Sequence, residues 1–418
     1  MNPTMSAIYA LLVLAFVGIA SGRFPRLAMN RATIALSAAV ILVVLGGLTP
    51  QQAFAAVDVE TLALLLAMMI IVANLRVSGF FSISGSRILQ VARSPRALLG
   101  IVVLVSGILS ALFLNDTICL MFTPLVAEMT RHTRRDGRPY LIALATSANA
   151  GSCATSIGNP QNMLIASQSG IPFGTFVLAL GLPSLAAMLF SYWLTILAFP
   201  AEFGKEDRLF GLAGNAVSPQ AEAEVQGGGR YLMYKSLGAS ALLLVLLLAG
   251  VRTSTAALVA ATVLLVTRRV NPEHVFAEVD FTLLVFFSGL FVLTAEVANT
   301  PAFAQAMEAI EPHIQKPGAL FAGAVALISN LVSNVPAVML LSPAARAMQN
   351  PQPAWLMLAM ASTFAGNLTL LGSVANLIVA EQGKKAGIRI GFVDYLKVGL
   401  PVTLLSLGAG VLWLGLLF

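Results

Sequence analysis

Two polar triplets, each followed by a glycine–asparagine segment, interrupt long apolar runs in this chain. The first triplet is Asn115-Asp116-Thr117, and its segment is SANAGSCATSIGNPQN over 147–162. The second is Ser333-Asn334-Val335, followed by FAGNLTLLGSVAN over 364–376. Asparagine amides both donate and accept hydrogen bonds, and the serine and threonine hydroxyls do the same. Gly158-Asn159-Pro160 reads as a helix stop and restart: glycine permits unusual φ/ψ, and proline suits the first turn of a new helix. A break of this kind presents free carbonyls, which suit cations, and free N–H groups, which suit anions or oxyanion groups. The candidate substrate contacts are Asn115, Asp116, Thr117, Asn149, Ser156, Gly158, Asn159, Asn162, Ser333, Asn334, Asn367, Gly372, Ser373 and Asn376. Such a lining suits a small polar solute: an inorganic oxyanion, a hydroxyl-rich species or a carboxylate.

Asp116 is the one acid expected deep in a membrane, since Glu296 reads as interfacial. An intramembrane acid is costly and points to function. It is read as the carrier of a coupling proton or as part of a coupling-cation site. The plain alternative is a cap for a half-helix starting near Ile118. Cys119 and Cys153 lie near the first triplet and the first break. Two thiols there suit a soft metalloid, although buried cysteines are more often inert. No metal site or cofactor is expected: His132, His274 and His313 all fall in polar connecting stretches, and two cysteines make no disulfide framework.

The elements that must position these residues follow from composition. The 418 residues are 58% hydrophobic and 10% charged, with mean hydropathy +0.88. Soluble domains carry roughly 25% charged residues. A soluble enzyme, a disordered chain and a nucleic-acid binder are excluded, despite a net charge of +6. The expected fold is an all-α polytopic membrane protein, and no enzyme. Spans of the needed length read near 5–21, 31–49, 59–78, 140–167, 173–199, 231–250, 253–267, 281–297, 354–380 and 393–417, about ten transmembrane helices. Stretches 97–130 and 317–345 are too short for two crossings each. They read as two re-entrant hairpins with the polar triplets at their tips.

The chain reads as two inverted-topology repeats with broken helices at the midplane. Residues 1–199 form the first repeat, with hairpin 97–130 and broken helix 140–167. Residues 200–230 form a polar cytoplasmic linker. Residues 231–418 form the second repeat, with hairpin 317–345 and broken helix 354–380. Val57-Asp58 and Val279-Asp280 open equivalent spans, and an amphipathic piece follows each, near 80–95 in the first half. Asn149 and Asn367 read as matched early asparagines, and Gly158-x-x-x-Asn162 matches Gly372-x-x-x-Asn376. An odd number of spans per half inverts the second relative to the first. Inverted repeats with broken helices point to a secondary transporter rather than a channel. Of the 24 lysines and arginines, all but Arg252, Lys316 and Arg346 then fall on one face. The positive-inside rule makes that face cytoplasmic and puts both termini outside, in an inner (cell) membrane. The N-terminal segment lacks a basic start and is expected to stay as a first span.

LNDTICLMFTPLV (114–126), SIGNPQNMLIA (156–166), SNLVSNVPAVML (329–340) and GNLTLLGSVANLIVAE (366–381) resemble the ion transporter superfamily. Within it they are similar to the arsenite permease and NhaD sodium/proton antiporter branch, and more distantly to the divalent-anion/sodium symporters. The resemblance implies a scaffold portion, mobile hairpin-bearing portions and alternating access. It implies a site between hairpin tips and breaks, and a homodimer as one assembly. A cytoplasmic ATPase subunit is left open. Those symporters carry Ser-Asn-Thr at both tips; the Asn115-Asp116 pair is similar to arsenite permeases and favours that branch, and the departure at Val335 speaks against a symmetric two-sodium dicarboxylate site. The expected function is proton-coupled arsenite or antimonite efflux, and thus arsenical resistance. The alternatives are a sodium-coupled carboxylate or sulfate carrier and a sodium/proton antiporter. The expected partners are a small-molecule or ion substrate and the lipid bilayer, with no nucleic acid.

Overall fold

The computed structural model describes residues 3–21, 28–81, 83–84, 92, 94–204, 230–266, 272–310 and 317–418. Most of the expected linker (205–229) and most of the expected amphipathic piece near 80–95 lie outside these residues.

The described residues form helices and no strands. In the first half they are α1 (Pro3–Ser21), α2 (Arg31–Val44), α3 (Pro50–Ala56), α4 (Val59–Val77), α5 (Pro95–Leu112), α6 (Asn115–His132), α7 (Gly137–Ser152), α8 (Pro160–Ser169), α9 (Phe173–Ala198) and α10 (Pro200–Phe203). The second half holds α11 (Arg230–Leu248), α12 (Thr253–Leu265), α13 (Pro272–Ala277), α14 (Phe281–Asn299), α15 (Pro301–Ile310), α16 (Ala319–Val332), α17 (Asn334–Ala347), α18 (Pro351–Ala365), α19 (Val374–Lys385) and α20 (Phe392–Leu417). Helix starts are written in the sequence. Asn30 and Thr49 form capping boxes, Asp58, Ser94, Asp136, Asn159, Asp280 and Ser373 accept from backbone N–H groups, and Pro95, Pro160 and Pro351 sit in first turns.

Six described helices, α4, α5, α9, α11, α14 and α20, are long and apolar enough to cross a membrane. α1, α2, α12 and α16 are shorter apolar helices. Segments α7–α8 and α18–α19 are interrupted, as expected. Several bounds move. The first hairpin occupies 95–132 and the second 319–347. The broken segments run 137–169 and 351–385, and α2 stops at Val44, where Gly46 turns the chain at φ +77°.

Packing repeats between the halves. α2 packs on α14 as α12 packs on α4; α3 meets α14 as α13 meets α4. α5 packs on α7 as α16 packs on α18, and α9 packs on α20. Two bundles result: α1–α4 with α11–α14, and α5–α9 with α16–α20. Fewer helix pairs join them, chiefly α4 with α8 and α14 with α17.

At one end of the second bundle, Arg138 forks onto Asp136 (2.7 and 3.0 Å) and reaches Asp394 of α20 at 3.1 Å. Burial pushes the Asp136 carboxyl up, but hydrogen bonds from the Arg138 side chain and backbone outweigh it and hold the group below its ordinary value. A lowered carboxyl stabilises the fold above its unfolded value, about 3.9, and stops doing so as pH falls through the folded value. Asp136→Asn is therefore expected to lower the melting temperature at pH 7, with the difference closing toward pH 3.

Candidate functional site

The two breaks face each other and are stitched together by amides. Asn149, in the last turn of α7, is 2% exposed. Its amide nitrogen donates to Asn367 Oδ1 (2.9 Å) and Asn376 Oδ1 (3.0 Å). Its oxygen accepts from Asn115 Nδ2 (3.0 Å) and Ser373 Oγ (3.2 Å). Those four bonds use the full capacity of the group. One side chain thus joins the first hairpin tip to the second break.

Each break is also closed on itself, in the same way. Asn162 Nδ2 donates to the carbonyls of Ser152 (3.3 Å) and Thr155 (2.9 Å), ten and seven residues back. Asn376 Nδ2 donates to Gly366 (2.7 Å) and Thr369 (3.1 Å), again ten and seven residues back. This fixes the register of the repeat. Asn159, which caps α8, corresponds to Ser373, which caps α19. Thr363, not Asn367, corresponds to Asn149, so the expected pairing of early asparagines is corrected by four residues. Thr363 mirrors the hub: its hydroxyl accepts from Asn159 (3.3 Å) and Gln161 (3.2 Å) of the opposite break. Asn367 instead donates to Thr146 O at 3.0 Å.

Gly158 and Gly372 allow backbone to close in. A Cβ on Gly158 would lie 2.4 Å from Ser152 O and 2.7 Å from Ser110 O, and one on Gly372 2.9 Å from Asn330 Oδ1. The first tip rests on the first break through Asn115 N and Gly158 O (3.0 Å). α8 extends ten residues past this level, roughly 15 Å of helix.

Asp116 is the second residue of α6, whose N-cap is Leu114. α6 begins at Asn115, so Asp116 does not cap a helix starting near Ile118. Its side chain is half-buried, and among the described residues it accepts no hydrogen bond. The charges whose fields reach it are Arg31 and Asp280. Thr117 follows it, half-buried. Glu296, expected at the interface, is 6% exposed on α14 and packs by Gly47, so it is a buried acid.

Eleven buried side-chain oxygens lack partners among the described residues, and six of them fall in two sets at the tips and breaks. Ser110 Oγ, Asn115 Oδ1 and Ser156 Oγ lie at the first tip and break. Ser329 Oγ, Asn330 Oδ1 and Asn334 Oδ1 lie at the second. A buried unpaired oxygen is costly unless a ligand or water meets it. Ser110, Ser329, Asn330 and Thr363 are additions to the candidate site. The signal for the first two was available, since each serine precedes its tip asparagine by five residues.

Ser333 holds φ 81° and ψ 159°, a region open essentially to glycine, at a cost of about 1–3 kcal/mol. Ser333→Gly is expected to stabilise the protein by about 1 kcal/mol, read as a raised melting temperature in detergent. Cys119 and Cys153 are fully buried. Cys119 lies one turn after Asp116, with Tyr395 as its other electrostatic neighbour, and Cys153 faces Ser184. The two thiols have different polar neighbours. The double Cys→Ser variant is expected to transport within about twofold of the parent, as for inert buried cysteines.

A family model described as CitMHS, citrate transporter, matches residues 10–365. The silicon efflux transporter LSI3 of Oryza sativa subsp. japonica is 32% identical, over 94% of this chain and 93% of its own. A Dictyostelium discoideum protein that carries the transporter name arsB is 26% identical, over 92% and 87%. Among solved structures, the Alcanivorax borkumensis YdaH transporter, of unusual topology, shares the fold at TM-score 0.54 and 16% identity, covering 100% and 98%.

Proposed function

The chain belongs to the CitMHS citrate transporter family, and on that premise we propose that it exports a small, uncharged, hydroxyl-rich metalloid acid by proton-coupled alternating access. Arsenous and antimonous acids are the first choice. The observation that carries this reading is the chemistry of the lining. Amides, hydroxyls and helix N-termini surround one carboxylate, and no candidate site residue is lysine, arginine or histidine. A hydroxylated neutral solute offers donors to the six unpaired oxygens and acceptors to the N-termini of α8 and α19. The one cation whose field reaches Asp116, Arg31, is offset by the Asp116 and Asp280 carboxylates, which disfavours a multiply charged anion. Relatives named for silicon efflux and arsB agree with this chemical class, since silicic and arsenous acids are both undissociated polyhydroxy species at neutral pH.

In this reading α5–α6 and α16–α17 are re-entrant hairpins with tips at the depth of the breaks, and residues 1–199 and 231–418 are the inverted repeats. The bundle α5–α9 with α16–α20 moves against α1–α4 with α11–α14. Asp116 carries the coupling proton. The basic face is cytoplasmic, both termini lie outside, and a homodimer forms through the scaffold bundle.

A second reading, a sodium-coupled carboxylate carrier, is favoured by the family description and by the two matched sets of unpaired oxygens, which suit hard cations. Everted vesicles separate the two. Arsenite uptake driven by an inward-acid proton gradient supports the first. Citrate or succinate uptake that needs sodium, without arsenite uptake, replaces it with the second.

A further inference from the structure

The two bundles meet asymmetrically. α8 packs against α4 and α12, and the Ser167 hydroxyl lies 3.3 Å from both carboxylate oxygens of Asp58, the cap of α4. The repeat holds an equivalent of each partner. α14 matches α4 in length, 19 residues each, and its cap Asp280 accepts from Leu283 N at 3.1 Å as Asp58 accepts from Thr61 N at 3.0 Å. α19 matches α8 through the Asn162/Asn376 register, which puts Glu381 at the Ser167 position. Yet among the described residues α19 makes no comparable packing on α14, and Asp280 and Glu381 are both exposed.

We propose that the opposite transport state docks α19 on α14 as α8 docks on α4 here, bringing Glu381 against Asp280, and that this closed contact holds one proton shared between the two carboxyls. The inference rests on the alternating-access reading. Inverted repeats exchange conformations between the two states, so the contact made by one half is the template for the other. The exchange is not symmetric in chemistry. A hydroxyl meets a carboxylate at the Asp58 face, and an acid meets an acid at the Asp280 face. Two carboxylates at hydrogen-bond distance do not both ionise. Closing that face therefore takes up a proton, and opening it releases one.

The charged neighbours are defined. Asp280 lies in the field of Asp116, as does Arg31 of α2, and the Arg76–Glu278 ion pair stands two residues before Asp280. Glu381 shares its helix with Lys384 and Lys385, and that helix packs on α6 and α7, whose ends carry the Glu128–His132 pair, Arg131 and the Asp136–Arg138 pair. Glu308 of α15 and Arg346 of α17 lie toward the other end of α14.

The test uses the full-length protein in vesicles, in a Cys119→Ser, Cys153→Ser, His132→Gln background. Oxidised cysteine pairs report docking: Asp58→Cys with Ser167→Cys, and Asp280→Cys with Glu381→Cys. Both are expected to cross-link, to block transport, and to recover on reduction. A pair 58/167 that cross-links while 280/381 never does overturns the docking. A cross-linked 58/167 pair that leaves transport intact sinks alternating access itself, which is a separate result. Spin labels on Val59→Cys and Ser169→Cys then follow the state with Asp280 and Glu381 native. The long-distance population is expected to rise as pH falls, by up to about tenfold per unit for one proton, and to lose that dependence in Glu381→Gln. A population that ignores pH in the parent overturns the shared proton.

Discussion

Asp116→Asn is expected to abolish proton-driven export while leaving the protein folded. The carboxylate accepts no hydrogen bond among the described residues, so the isosteric amide removes no bond, and the melting temperature should stay within a degree or so. What it removes is the titratable oxygen at the first tip, in the field of Arg31 and Asp280. Transport against a gradient should fall by about a hundredfold or more, the scale on which losing a positioned proton-transfer group acts. Asp116→Glu should recover part of the rate. Glu296 is buried against Gly47 on α14, a helix that carries neither tip nor break, so Glu296→Gln is expected to leave coupling in place. If Asp116→Asn exports at the parent rate with its pH dependence intact, Asp116 is not the coupling group.

Asn149→Leu is expected to be the most destabilising change in the site. It leaves Asn115 Nδ2, Asn367 Oδ1, Asn376 Oδ1 and Ser373 Oγ without their bonds to this amide. Each orphaned buried group costs about 1–3 kcal/mol, so a loss of about 4 kcal/mol or more is expected, together with loss of the stitch between the halves. The contrast is Asn334→Ala. Asn334 is buried, but its oxygen has no partner, so truncation removes an unpaired group and should cost about 1 kcal/mol or less. Its effect should instead appear in transport, as a weakened apparent affinity. Thermal melting and uptake measured on both variants distinguish a brace from a ligand-facing group. Equal stability losses in the two would contradict that division.

That division was not legible in the sequence, although much of the fold was. The stops and restarts were written locally. Gly158-Asn159-Pro160 and Gly372-Ser373 break the chain because a glycine admits close backbone and the next residue caps a new helix. Span positions followed from apolar length, and the repeat showed in the matched Asp58 and Asp280 caps. The sequence does not say where an amide's hydrogens go. Asn149, Asn162 and Asn376 read as substrate contacts because asparagine both donates and accepts, yet their bonds close on each other and on the breaks. Which asparagine meets which depends on how α7 and α18 cross. That is set by packing over the whole bundle, and so Asn367 was matched to Asn149 when Thr363 holds that place. Ser110 and Ser329 escaped notice because a serine inside an apolar helix usually bonds its own preceding turn. Here both hydroxyls lack that bond, and only the structure could reveal it.

The central claim is that a proton gradient drives a neutral hydroxylated acid through the cleft between the tips and the breaks. Its most direct measurement is arsenite uptake into everted vesicles carrying the protein, with an imposed proton gradient and no sodium. Saturable accumulation that collapses with a protonophore, and is absent in Asp116→Asn vesicles, is the predicted result. Vesicles that leave arsenite outside under that gradient, yet accumulate citrate or succinate when sodium is supplied, would contradict it.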